Sequence, residues 1–321
     1  MSAALPVNRA AVEQAQQLLA RGPQGFLRET PLWRLNAQAL GIDGLAAGEV
    51  WLKLEHLQVG GSFKARGMLH RLLANPLPPA GVIVASGGNA GIATAAAARA
   101  LGARCEVFVP SVSPQAKRDR LQSLGAQVFV RGDAYADAWA ACVERQRETG
   151  ALMTHAYDQP EVVSGAGTLA AEIERQAGVP DSVLVSVGGG GLIGGVAAWW
   201  GGRSEVVSLE PCNAPTLHAA RVAGTPVDVA VSGVAADSLG ARRIGAIAWD
   251  VTQAHVRHAL LLPDDAIRHA QQWLWKECKL AVEPAAALGL AALQTGAWQP
   301  RAGERVCLIL CGANVDPASL G

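Results

Sequence analysis

Apolar runs in this chain end on glycines. "GVIVASGGNAG" (81–91), "SVLVSVGGGG" (182–191) and "VCLILCGAN" (306–314) each read as a buried strand closed by a glycine-rich turn. After the first two, a stretch of small and apolar residues reads as a helix. Repeated strand, turn and helix is the pattern of parallel sheets covered on both faces, so the fold class is α/β. Strands are expected at Val50–Leu54, Gly81–Ser86, Cys105–Val109, Val128–Val130, Val183–Val187, Val206–Leu209 and Val306–Leu310. Helices are expected at Gly91–Leu101, Pro114–Leu124 and Asp133–Thr149. In open α/β sheets ligands bind outside the carboxyl ends of the strands, which is where the three glycine turns fall.

Composition narrows the ligand. Half of the 321 residues are hydrophobic, enough for a large core, and 27 basic residues balance 27 acidic ones. There is no basic run, so nucleic acid and anionic membrane are poor partners for this chain. The tryptophans are scattered and read as packing residues. Six cysteines form no CxxC pair and no disulfide-like framework, and no secretory signal precedes them; a reducing, cytoplasmic setting is expected. The N-terminal "MSAALPVNRAAVEQAQQLLARG" reads as an amphipathic helix. No apolar run reaches the ~18 residues of a membrane span.

The chain has only five lysines, and one of them, Lys64, stands in "GGSFKARG" (60–67). Ser62 is a candidate N-cap for a helix from about Phe63 to Leu73, which puts Lys64 in the first turn. A cation is disfavoured at a helix N-terminus, and Met68 and Leu72 continue an apolar stripe from Lys64. Both effects favour the neutral amine, with a pKa of ~7–8, the form that a Schiff base with an aldehyde requires. Read alone, the segment favours a surface lysine whose stem covers the helix end; the neighbouring glycine turns change that weighting.

The tetraglycine turn, Gly188, Gly189, Gly190 and Gly191, brings backbone N–H groups close to an anion, and the following helix adds its own donors. A phosphate is the natural occupant. Gly189, Gly191 and Gly194 also satisfy G-x-G-x-x-G, with Glu210 about 20 residues on, so a nicotinamide oxidoreductase remains open at this point. The "SGGNAG" turn offers a second anion site with the side chains of Ser86 and Asn89, suited to a substrate carboxylate.

Taken in order, "GGSFKARG", "SGGNAG", "SVGGGGL", "VEPAAALGLAAL" and "LCGAN" resemble the serine/threonine dehydratase branch of the fold type II pyridoxal-phosphate enzymes, from "TPLWRL" (30–35) to Asn314. The resemblance implies two open, twisted, mostly parallel sheets flanked by helices. It implies a large cofactor domain (1–57 and 159–321) and a small inserted domain (58–158). Lys64 would carry pyridoxal 5'-phosphate and later move the α-proton. Phe63 would pack beside the ring and Asn89 would bond its 3-hydroxyl oxygen. Gly188 to Leu192 would cradle the phosphate, and Cys311 would face the pyridine nitrogen. Ser86, Gly87, Asn89 and Ala90 would hold the substrate carboxylate.

The implied reaction is dehydration and deamination of L-serine, and also of L-threonine, to the 2-oxo acid and ammonia. Serine racemase and 3-hydroxyaspartate ammonia-lyase are the alternatives within the family. Gly87 and Ala90 resemble the catabolic serine dehydratases and argue against racemisation; "GVAADSLGARRIG" (233–245) also resembles that subgroup. "EPCNAPT" resembles the family's cation site, with Glu210, Ala214, Thr216 and the Gly188 carbonyl as ligands and Val234 nearby. A neutral Thr216 suits a monovalent ion, K+. Glu283 before Pro284 is good capping chemistry and lies near the cofactor in the family. His255 and His258 are expected on a solvated helix face. A homodimer is implied, and the ending soon after "CGAN" leads to no expectation of a regulatory domain.

Overall fold

The computed structural model describes residues 5–320. Helix α1 (Arg9–Leu19) opens the chain, its first turn closed by the Asn8 side chain accepting from the Ala11 N–H at 3.1 Å. Residues 1–4 of the expected N-terminal helix lie outside the described residues. Strands β1 (Leu32–Asn36) and β2 (Glu49–Lys53) lead to α2 (Lys64–Leu73). Then come β3 (Val82–Ala85), α3 (Asn89–Ala100), β4 (Cys105–Val109), α4 (Gln115–Ser123), β5 (Gln127–Val130), α5 (Tyr135–Thr149) and β6 (Leu152–Thr154). The second half holds α6 (Pro160–Ala177), β7 (Ser182–Ser186), α7 (Gly191–Trp200), β8 (Glu205–Pro211) and α8 (Thr216–Ala223). It finishes with α9 (Ala246–His255), β9 (Val256–Leu262), α10 (Asp264–Cys278), α11 (Pro284–Gln294) and β10 (Arg305–Ile309).

Two sheets result. The larger has the order β1-β2-β10-β7-β8-β9, and the smaller β5-β4-β3-β6. Among the strand pairs of the described residues, only β1–β2 is antiparallel. The expected α/β class with two mostly parallel sheets is therefore what the chain adopts. Central strands such as β7 ("SVLVS") are buried at every position, which is why they read as unbroken apolar runs.

Three strands were not expected. β6 has only three residues, too few to show a period. β1 and β9 are edge strands with exposed positions, three in β1 and two in β9, where polar or charged residues such as Arg34, Arg257 and His258 interrupt the apolar pattern. His258 is a correction: it lies exposed on β9, not on a helix, while His255 ends α9.

Close helix packing sets the relative height of the turns. A Cβ on Gly67 of α2 would lie 2.5 Å from the Val162 carbonyl of α6. One on Gly195 of α7 would lie 2.3 Å from the Val163 carbonyl. Glycine at these crossings lets α2 and α7, which lead from the lysine and the tetraglycine turn, pack backbone to backbone on one helix.

Candidate active site

Ser62 does not cap α2, which corrects the sequence expectation. Its backbone is extended and pairs with Gly312 in an isolated bridge, which turns the hydroxyl into the interior without a partner. Backbone bonds close the first turn instead, from Ala65 N to Ser62 O at 3.4 Å and from Arg66 N to Phe63 O at 3.1 Å. The bridge has a positional consequence. Phe63 N donates to Cys311 O at 3.1 Å and Ala313 N to Gly61 O at 2.8 Å, so the lysine segment is stitched to the "CGAN" turn.

A buried ionic cluster holds the same helix from behind. Arg66 donates to Glu55 at 2.5 and 3.0 Å and to Glu172 at 2.9 Å; Lys53 donates to Glu172 at 2.6 Å. Two cations face two carboxylates. Removing one partner of such a pair strands a buried charge and costs ~3–5 kcal/mol.

Lys64 is half-buried, and its Nζ donates to Ala156 O at 2.5 Å, just after β6. Burial lowers its pKa to about 8, against the opposing pull of Cys311 and Glu283. The direction matches the sequence reading, but the cause is burial more than a neighbouring positive charge. The neutral, nucleophilic fraction therefore grows as pH rises through about 8. Labelling of Lys64 by an amine-selective acylating reagent should show that midpoint; a midpoint near that of a free lysine would contradict it.

Cys311 follows β10 and is buried, which pushes its thiol up to about 12 and keeps it neutral. Glu283 is also raised by burial, although Asn89 Nδ2 donates to its two oxygens at 2.9 and 3.0 Å. Asn314 joins them, donating its N–H to Glu283 at 3.0 Å and its side-chain amide to Asn89 Oδ1 at 2.6 Å. Asn89 thus opens α3 with its amide engaged by Glu283 and Asn314. Sequence reasoning gave Asn314 no role, and it did not find Ala156.

Ser86, Gly87 and Gly88 form the turn before α3, and Ala90 lies buried in its first turn. A Cβ on Gly87 would lie 3.2 Å from both Ser113 Oγ and Val109 Cγ1. Phe63 is partly buried against the main core, with its ring 5.0 Å from Lys64 Nζ.

The tetraglycine turn leads into α7 with Gly190 at φ +88, in the left-handed region. A Cβ would lie 3.2 Å from Leu239 at Gly188, 2.2 Å from the Tyr157 ring at Gly189 and 2.4 Å from Ala248 at Gly190. Among the described residues, the N–H groups of Gly189, Gly190, Gly191 and Leu192 find no backbone acceptor. Free donors at the positive end of a helix fit a phosphate group.

Behind this turn, Glu210 is fully buried and raised to about 7 by that burial. It accepts from Leu217 N at 2.7 Å, His218 N at 2.8 Å and Thr216 Oγ1 at 3.1 Å, and so closes the first turn of α8. The single Thr216 hydroxyl proton is shared between Glu210 and Gly188 O, which lies at 2.5 Å, and Thr216 N donates to Ala214 O at 3.2 Å. A carboxylate enclosed in this way cannot reach a ribose, which removes the acidic residue that the dinucleotide reading needs. Val234 donates its N–H to Asp264 at 3.1 Å. No group of three or more His, Cys, Asp and Glu suited to a metal occurs among the described residues. Nor is any helix of those residues long and apolar enough to cross a membrane.

Comparison with known proteins bears on the family and the fold. The model of the family described as pyridoxal-phosphate dependent enzyme matches residues 24–312. L-threonine ammonia-lyase of Thermotoga maritima is 30% identical over 280 residues, 86% of this chain and 69% of that protein. Phenylserine dehydratase of Ralstonia pickettii is 34% identical over 299 residues, 92% of this chain and 90% of that protein. The structure of maize serine racemase superposes with a TM-score of 0.89 at 26% identity, covering 98% of this chain and 96% of that one.

Proposed function

The chain belongs to the pyridoxal-phosphate dependent enzymes, of the fold type II serine/threonine dehydratase type, and on that premise we propose that it eliminates water from L-serine and L-threonine. The products are the 2-oxo acid and ammonia. Bound in this site, pyridoxal phosphate supplies an electron sink conjugated to the substrate nitrogen.

The chain's own residues fit that group. The free N–H groups of Gly189 to Leu192 would take its phosphate, Phe63 would flank the ring, and Asn89 would lie on its 3-hydroxyl side. Lys64 Nζ, neutral in a large fraction near pH 8, takes the proton from the substrate's α-carbon. The turn from Ser86 to Ala90 binds the substrate carboxylate. The β-hydroxyl leaves as water, taking up a proton as its C–O bond breaks, and the released 2-amino-2-alkenoic acid tautomerises to the imine, which water hydrolyses to the 2-oxo acid and ammonia.

The observation that carries elimination is that a buried cysteine, Cys311, and not a carboxylate, stands beside the lysine segment, facing the ring nitrogen in this reading. A thiol does not hold a positive pyridinium as a carboxylate would. Charge at the α-carbon is then weakly stabilised, and prompt loss of a β-leaving group is favoured. We place the smaller sheet in a domain of residues 58–158 that closes on substrate and excludes water. A cytoplasmic homodimer is part of the same reading.

Racemisation is the second reading, supported by the likeness to serine racemases. Against it stands Gly87, which offers no hydroxyl on the far ring face. The phenylserine dehydratase among the relatives keeps the size of the C3 substituent open. Steady-state kcat/KM for L-serine, L-threonine and 3-hydroxyaspartate, read as 2-oxo acid released, ranks the substrates. Turnover of none of them would refute the elimination.

We also assign a K+ site to Glu210, Thr216 and the carbonyls of Gly188 and Ala214, a set with one carboxylate that suits a single positive charge. At about 100 times its Kd, K+ should stabilise the protein by ~2.7 kcal/mol relative to tetramethylammonium. Glu210→Gln should abolish that difference in thermal unfolding. A wild-type protein indifferent to K+ would sink the assignment.

A further inference from the structure

We propose that Tyr157 sets the size of the group the site accepts on C3 of its substrate, and limits it to hydrogen or methyl. This rests on the elimination reading above and names its substrate class: 2-amino-3-hydroxy acids with a small C3 substituent.

The chain has only two tyrosines, and both belong to one ladder of rings. Tyr135 stacks on Trp139 with centroids 6.5 Å apart, and Trp139 meets His155 edge-on at 5.5 Å. His155 meets Tyr157 edge-on at 4.6 Å. The ladder runs from an exposed ring, Tyr135, to the tetraglycine turn. There the root of the Tyr157 ring lies 2.2–2.5 Å from the place a Cβ on Gly189 would take, and the Tyr157 backbone lies 3.1 Å from that place at Gly191. Tyr157 is thus held from behind by His155 and in front by glycine backbone. His155 Nδ1 fixes the segment further by accepting from Tyr157 N at 3.3 Å and Asp158 N at 2.9 Å.

The residue before Tyr157 is Ala156, whose carbonyl receives Lys64 Nζ at 2.5 Å. Tyr157 therefore stands between the reacting amine and the turn for the phosphate. Around the substrate's α-carbon, one bond leads to nitrogen at the cofactor and one to the carboxylate at Ser86–Ala90. A third leads to the proton that Lys64 removes. In the proposal the side chain points at the remaining wall, and the Tyr157 ring, seated against Gly189, supplies that wall. A hydrophobic pocket discriminates by ~10–200-fold per methylene, so a ring-sized wall has a large effect on an aryl substituent.

The experiment uses the cofactor-loaded enzyme and its Tyr157→Phe, Tyr157→Leu and Tyr157→Ala variants. Kd values for L-alanine and L-phenylalanine, which lack a leaving group, are read from the cofactor absorbance. The kcat/KM values for L-serine and L-phenylserine are read as 2-oxo acid. Tyr157→Ala should shift both ratios toward the aryl compound by at least ~10-fold. Tyr157→Leu should shift them in the same direction by less. Tyr157→Phe should leave them unchanged, since the phenol oxygen makes none of the described hydrogen bonds and only the ring is at issue.

A residue that merely supports the fold would lower both members of each pair together. Unchanged ratios, or an aryl preference that falls on truncation, would overturn the proposal. The binding ratio decides the role of Tyr157 even if no substrate is dehydrated, an outcome that would refute the elimination reading instead.

Discussion

Lys64→Ala should leave a folded protein with kcat reduced by at least ~10^3-fold, since it removes the group that moves the α-proton. The loss should fall on kcat more than on KM, because the turns assigned to the phosphate and carboxylate are untouched. Structurally the change is mild: the amine makes one hydrogen bond, to Ala156 O at 2.5 Å, and the helix is held by Arg66 and by the bridge to Gly312. Thermal unfolding should therefore move little. Borohydride treatment should fix the cofactor covalently in the wild type and not in the variant. A variant retaining a tenth of the activity would remove Lys64 from the chemistry.

Gly190→Ala should weaken cofactor binding by about 10²-fold. Two effects act at that position. A φ of +88 strains any L-residue, and the new Cβ would fall 2.4 Å from Ala248 Cβ and 2.5 Å from Ile244 Cδ1. Strain and overpacking together cost ~2–5 kcal/mol of stability. Relief requires the turn to move, and each hydrogen bond it loses to a charged phosphate is worth ~1.5–3 kcal/mol. Gly201→Ala is the control. It has φ +52 at the far end of the same helix, with nothing within 4 Å of the added Cβ. That variant should lose stability without losing affinity for pyridoxal phosphate. Equal losses of affinity in the two variants would mean that the tetraglycine turn does not hold the cofactor.

The sequence was most legible where chemistry is local. β7 and β10 are nearly continuous apolar runs because both their faces are covered, and the glycine turns stand next to them in the chain. The edge strands β1 and β9 have uncovered positions and carry no such signature. Ser62 shows the limit from the other side. Its spacing from the helix is that of a cap, yet a pairing with Gly312, 250 residues away, turns its side chain inward.

Residues that act through distant contacts were the least readable. Asn314 meets Asn89 and Glu283 only because β10 ends where α3 and α11 begin. Ala156 and Tyr157 follow β6, whose three residues gave no strand signal. The one cue to them was that a histidine and one of two tyrosines stand together in "THAYD". Glu210 was picked out twice, by spacing for a dinucleotide and by family resemblance for a cation site. Its enclosure by the first turn of α8 is a property of the fold, not of the spacing.

The most direct measurement is the product balance from L-serine with the enzyme loaded with pyridoxal phosphate. Pyruvate and ammonia should appear in equal amounts, at the rate serine disappears, with no D-serine accumulating and with no pyruvate from the Lys64→Ala protein. D-serine formed without matching pyruvate, or unchanged L-serine, would contradict the assignment of this site to elimination.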